Sequence, residues 1–225
     1  MIRLKNALLI ILIGIPLVAC TYPCTYYVKL YDPLTYEESK LTPSDVQEGK
    51  SIATEKIRVV VKKTTDNRSD KAKLGGLVQY DVTRTILFDK DVVLSDLFTN
   101  NLINCFELAG YEVILPEKFG ATSEFDKEKV DALVEFEVMG FSVSMYMLPL
   151  EGYYVWGFVR FNVKLCEPGE LREIWGDRFV GVSESWGIFD TEARYERIIN
   201  QAYAKAMSDL FNAISDKQIE NILKK

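Results

Sequence analysis

Apolar residues recur along this chain in two periods. In Ala132–Val138 they fall on even numbers, Ala132, Val134, Phe136 and Val138; from Phe141 they fall on odd numbers, Phe141, Val143 and Met145. Alternation of this kind marks a half-buried strand, and the change of parity marks one residue inserted at Gly140. A β-bulge there keeps both halves facing one core. After a turn at "LPLEGY", Val155, Gly157, Val159, Phe161, Val163 and Leu165 continue the inward face. "EPGE" turns the chain again, since Pro followed by Gly suits a type II turn, and Glu173–Val182 is the last strand. The other period is helical. Ser95–Ala109 places Phe98, Leu102, Cys105, Phe106 and Ala109 on one stripe, with Gly110 as a left-handed stop. Glu192–Ile214 carries a longer stripe, Tyr195, Ile198, Ile199, Ala202, Tyr203, Ala206, Leu210 and Ile214, with Asp190 or Thr191 as its cap. Residues 216–224 extend that helix or add a turn.

Upstream, Val-rich Ile57–Lys63 reads as a strand, "TTDNRSDKAKLGG" as a polar loop, Tyr80–Phe88 as a second strand and Glu112–Leu115 as a short third. Strand, strand, helix, strand, three-stranded meander, helix is an α+β order. It predicts a largely antiparallel sheet with two main helices packed on one face.

The N-terminus follows a different logic. Met1–Asn6 carries Arg3 and Lys5 and no acid, and Ala7–Ala19 is apolar apart from Gly14 and Pro16. A basic start followed by a short apolar run is a secretory leader, too short for a membrane-spanning helix. Its last four residues, Leu17-Val18-Ala19-Cys20, resemble the lipobox of bacterial lipoproteins. The resemblance implies cleavage before Cys20 and acylation of its thiol, so that lipid chains anchor the mature N-terminus. Thr21 follows, where an Asp would retain such a protein at the inner membrane of many Gram-negative bacteria. By that sorting rule the outer membrane, facing the periplasm, is the expected location. Residues 1–19 are thus a signal peptide. Residues 20–50, with Pro23, Pro33 and Pro43, read as a membrane tether with room for a short strand near Tyr27–Leu30, and 51–225 as a single domain. "SDVQEGKS" within the tether is rejected as a phosphate loop, because Ser44 stands where the first glycine is needed and no apolar strand precedes it.

Composition narrows the chemistry. Loss of Arg3 and Lys5 with the leader takes the formal net charge from -6 to -8. An acidic chain without a dense basic cluster does not suit nucleic acid. The chain has no histidine, which excludes Ser-His-Asp and Cys-His catalysis and any His-ligated metal. Neither metal nor cofactor is expected. Cys105 and Cys166 are either two small buried residues or a disulfide, which a periplasmic location permits. Glu135 and Glu137 share a strand face, the pattern of paired carboxylates and equally of a solvated face. No other catalytic signature accompanies them, and the chain is read as no enzyme.

Several segments together resemble YajG-type lipoproteins. "DNRSDKAKLGG" resembles that family's D-x-R…L-G segment, represented here by Asp66, Arg68 and Gly75; "NLINCFELAGYEV" resembles its first helix, and "VDALVEFEV" an ADAxVxVxV-like strand. The lipobox and the long final helix keep the same order. The departures are a long loop around Phe119–Asp131 and a very aromatic hairpin. The resemblance implies a periplasm-facing envelope lipoprotein without a catalytic site, in which Asp66 and Arg68 either shape their loop or bind a ligand. Related folds imply a competing role, an oligomeric auxiliary subunit of an envelope lipid-transport or secretion system.

The outward face of the hairpin supplies the candidate surface. Tyr154, Trp156 and Phe158 alternate with the inward residues, and Tyr146 and Tyr153 lie near the tip. Either a helix covers this strip, or it is a surface for an envelope protein, a lipid or a glycan. The expected partners are therefore the membrane, through the N-terminal lipid, and one unidentified envelope component.

Overall fold

The computed structural model describes residues 24–36, 56–71, 73–79, 82–88, 93–114, 130–148, 152–188 and 191–223. The leader, Cys20, the rest of the tether and most of the long loop around Phe119 lie outside these residues. The meander forms as expected: β7 (Ala132–Leu148), β8 (Gly152–Cys166) and β9 (Glu173–Gly187) pair antiparallel in sequence order. The register steps between Val138 and Gly140, so Met139 is the extra residue. Val134, Phe136 and Val138 before the step are buried together with Phe141, Val143 and Met145 after it. β9 runs five residues beyond the expected Val182.

The rest of the sheet corrects the expectation. The sheet as a whole is mixed: most of its pairing is antiparallel, as expected, but a set of parallel pairs is added. β7 is 17 residues long, and its second edge receives three short strands in succession, all parallel to it: β2 (Arg58–Val61), β3 (Thr65–Asp66) and β4 (Lys73–Gln79). β6 (Glu112–Ile114) adds parallel to β2, β5 (Val82–Phe88) antiparallel to β4, and β1 (Cys24–Val28) parallel to β5. Parallel pairs need a crossover, and α1 (Leu94–Leu108) lies on the one between β2 and β6. β2 is buried on both sides, Val59 and Val61 in the main core and Val60 in a small second core with Val130, Leu133 and Cys166. β3 and the first four residues of β4 fall inside the expected polar loop. Gly75 of β4 lies so close to β7 that a Cβ would collide with the Val143 carbonyl oxygen.

α1 ends where Gly110 takes φ +96°, and the Tyr111 and Gly110 amides bond the Phe106 and Glu107 carbonyls at 3.0 and 3.1 Å. This is the Schellman arrangement that glycine permits. α2 (Glu192–Ile214) begins at Thr191, whose side chain makes no capping bond, and a third helix, α3 (Lys217–Leu223), follows it. Phe98 on α1 touches Phe136, Phe141 and Phe161 of the sheet and Tyr203 of α2, with ring centroids 4.8–6.5 Å apart. Asn101 donates to the buried Tyr203 hydroxyl at 2.9 Å, satisfying both groups inside the core.

α2 sits almost on the backbone of the sheet. A Cβ at Gly157 of β8 would come within 2.7 Å of Ile198 Cγ2 and 2.9 Å of the Ile198 carbonyl oxygen; one at Gly181 of β9 would collide with the Ala202 carbonyl oxygen. α2 also holds β1. The amides of Tyr27, Lys29 and Tyr31 donate to Glu192 Oε1, Glu196 Oε2 and Asn200 Oδ1 at 2.9, 3.1 and 2.8 Å, and Asn200 Nδ2 returns a bond to the Lys29 carbonyl at 2.9 Å. The spacings match, since two strand residues rise about 6.7 Å and four helix residues about 6 Å. Residues 24–36, part of the stretch read as a tether, therefore pack on the domain as a strand and the segment after it.

Gly181→Ala should destabilise the fold by about 1–3 kcal/mol or more, because the colliding atom is helix backbone. Gly176→Ala on the same strand should change stability by less than about 0.5 kcal/mol, because its new methyl meets only the movable Glu173 and Lys164 side chains. Denaturant midpoints of the two variants check this.

Candidate functional site

The outward face of β7–β9 is built by strand parity. Tyr146, Tyr154 and Trp186 stand opposite one another across the three strands, then Ser144, Trp156 and Glu184, then Ser142, Phe158 and Val182. Cross-strand neighbours on one face touch, and here they form a row: Tyr146–Tyr154 centroids are 6.4 Å apart and Tyr154–Trp186 centroids 4.8 Å. Trp156 and Phe158 lie 5.6 Å apart along β8. The Phe158 ring lies over Gly140, where a Cβ would come within 2.8 Å of it, so the bulge glycine makes room for the ring. The Arg160 guanidinium lies 5.8 Å from the Phe158 centroid, and its Nε finds no hydrogen-bond partner among the described residues. The Tyr154 hydroxyl donates to Glu184, and that bond raises its pKa above the ordinary phenol value.

Among the described elements, β7, β9 and α2 supply the substantial contacts to β8, and α2 meets it on the inward side at Gly157. Tyr154, Trp156 and Phe158 are half-buried by their own neighbours, while Tyr146, Val180, Val182 and Trp186 are exposed. Trp186 and Val182 complete the strip. Trp186 lies beyond Val182, the end of the strand expected from sequence, although even-numbered Val180, Val182, Glu184 and Trp186 continue the outward parity.

Asp66 and Arg68 form a separate feature. Arg68 grips the Asp66 carboxylate at two points, Nε to Oδ1 at 2.9 Å and Nη2 to Oδ2 at 2.8 Å. Its remaining donors reach the carbonyls of Lys71 at 3.0 Å, Lys73 at 3.3 Å and Phe141 at 3.5 Å, and the guanidinium lies 5.2 Å from the Phe88 centroid. Burial opposes the charge on Asp66, but the hydrogen bonds and charge of Arg68 hold its carboxyl below the ordinary value. The pair ties the β3–β4 loop to β7, close to Gly75. Beside it a cleft of about 630 Å³ is lined by Lys63, Thr64, Thr65, Asp66, Lys71 and the start of α1.

Glu135 accepts from Lys62 Nζ at 2.7 Å, and Glu137 stands opposite Asn162. Cys105 and Cys166 are free thiols buried in different cores, and burial pushes both pKa values up. Among the described residues no group of three or more His, Cys, Asp or Glu side chains is placed to hold a metal ion. None of their helices is long and apolar enough to cross a membrane.

No protein-family model and no curated protein matches the chain. Solved structures do. Protein XCC0632 from Xanthomonas campestris, of the DUF330 family, is 13% identical, with 89% of this chain and 99% of that chain covered and a TM-score of 0.50. A putative neuraminyllactose-binding hemagglutinin homolog from Helicobacter pylori is 16% identical, covering 78% and 91%, also with a TM-score of 0.50. Lipoprotein GNA1162 from Neisseria meningitidis is 12% identical, covering 73% and 99%, with a TM-score of 0.35. At these identities the first two likenesses establish a shared fold.

Trp156→Ala should cost less than about 1 kcal/mol, because the indole is only half-buried, on the face of the sheet away from α2. Phe161→Ala, two rows down on the inward side among Phe98, Phe136 and Phe179, should cost about 3–5 kcal/mol. Equal losses in urea denaturation would mean that Trp156 is a core residue.

Proposed function

We propose that the chain is a bacterial envelope lipoprotein, anchored by acyl chains on Cys20, whose domain binds or scaffolds another envelope component without catalysing a reaction. The observation that carries the binding role is the aromatic face, Tyr146, Tyr154, Trp156, Phe158 and Trp186, over which no described element packs, on a sheet whose other side carries α2. Anchored soluble domains rarely keep a contiguous aromatic strip in water unless something docks on it. The fold shared with the DUF330 protein and with the hemagglutinin homolog, whose name denotes glycan binding, agrees with a binding role. The absence of histidine and the engagement of Glu135 by Lys62 support a domain that does no chemistry. The assignment to YajG-type lipoproteins and to the periplasmic side of the outer membrane stands on the sequence motifs and on Thr21.

The lipid anchor is the part most readily tested. Cells supplied with an alkyne analogue of palmitate should label the parent chain and leave Cys20→Ser unlabelled and released from the membrane fraction. Labelling of Cys20→Ser as strong as that of the parent would refute the anchor.

A further inference from the structure

The clamp of β1 on α2 fixes where the described chain begins. β1 and the segment after it run alongside α2 in the same direction, Tyr27 beside Glu192, Lys29 beside Glu196 and Tyr31 beside Asn200. Cys24 therefore lies beyond the first turn of α2, at the pole of the domain where that helix starts. The Tyr26 ring packs on Tyr195 with centroids 5.2 Å apart, and Tyr195 donates its hydroxyl to Met145 beside Tyr146. The end of β9 reaches the same pole, because the Arg194 guanidinium lies against Gly187, and Gly152 packs on Gly187 and Ile188. The two most exposed aromatic side chains among the described residues are both here, Trp186 at 57% and Tyr146 at 53%, beside Ile188 at 74%.

We propose that this pole is a membrane footing: Tyr146, Tyr154, Trp186 and Ile188 seat in the headgroup layer of the bilayer that carries the anchor. The inference rests on the anchoring of Cys20 proposed above. Only three residues lie between Cys20 and Cys24, and the four steps from one to the other span at most about 14 Å even fully extended. The bilayer surface is therefore held within reach of this pole, and the domain cannot swing away on a thirty-residue leash. Trp and Tyr favour the membrane–water boundary because an apolar ring carries a polar edge. Ile188, with no polar group, would enter most deeply. Trp156 and Phe158 lie progressively farther from the pole, about 7 and 13 Å down β8, and remain available to a partner. The footing thus places the binding strip upright on the membrane.

The molecule contains its own control. Trp175 stands opposite Leu165, at the far end of β8 from Tyr154 and about 35 Å away. The chain starting at Cys20, carrying Cys24→Ser, is coupled through the Cys20 thiol to a maleimide lipid in vesicles of phosphatidylethanolamine and phosphatidylglycerol, with or without brominated acyl chains. Cys105 and Cys166 are buried and do not compete for the reagent. With Trp156→Phe and Trp175→Phe, leaving Trp186, bromine should quench emission severalfold more than with Trp156→Phe and Trp186→Phe, leaving Trp175. Comparing the parent with Trp186→Phe alone repeats the measurement without disturbing the packing of Trp175; the substitution should abolish most of the quenching. Equal quenching of the two tryptophans, or none at Trp186, overturns the footing. Because the lipid is attached chemically, that result is independent of whether cells acylate Cys20, which palmitate labelling decides.

Discussion

The fold depends on how close α2 can come to the sheet. Gly157 and Gly181 remove the side chains that would hold the helix off β8 and β9; from the helix side Ile198 meets Gly157, and the small residues Ala202 and Ala206 meet Gly181. This close approach presents a polar row, Glu192, Glu196 and Asn200, to the edge of β1. An unpaired strand edge is a liability that proteins cover, and here one helix covers two. It satisfies β1 through side chains and leans over β9, where Lys205 Nζ donates to the Val182 carbonyl at 2.9 Å. The helix that completes the core thus also joins the N-terminal segment to the domain.

This dual use decided how much of the fold was legible. The meander was readable because each of its strands buries one face, so parity in β7 and β8 reports the core directly, even through the Met139 bulge. The two long helices were readable for the same reason at the other period. The strands docked on the second edge of β7 were not. β3 has two residues, and β4 begins Lys-Leu-Gly-Gly, where Gly75 serves close backbone approach and the glycines break the alternation. Parallel pairing joins segments distant in sequence, so no turn signal announces it. The clamp on β1 is polar on both sides. In the sequence it looks like an ordinary charged helix face beside a proline-rich tether.

The candidate surface divides in the same way. Period-two spacing puts Tyr154, Trp156 and Phe158 on one face, but only the sheet order brings Trp186 against Tyr154 and shows both main helices occupied elsewhere. Asp66 and Arg68, which the motif made conspicuous, spend their hydrogen bonds on one another and on three backbone carbonyls. That geometry suits a loop fastening. The aromatic face, in contrast, has neighbouring rings with centroids 4.8–6.4 Å apart and no layer of the described chain above them.

The position of the anchor depends on β1 and the segment after it being held by α2. Amide hydrogen exchange at Tyr27, Lys29 and Tyr31 tests this directly. If the Glu192, Glu196 and Asn200 bonds hold, these three amides should exchange orders of magnitude more slowly than an unstructured peptide and open together with α2. Exchange at free-peptide rates while Phe161 in β8 stays protected would show that the segment is a loose leash, and the clamp would be wrong.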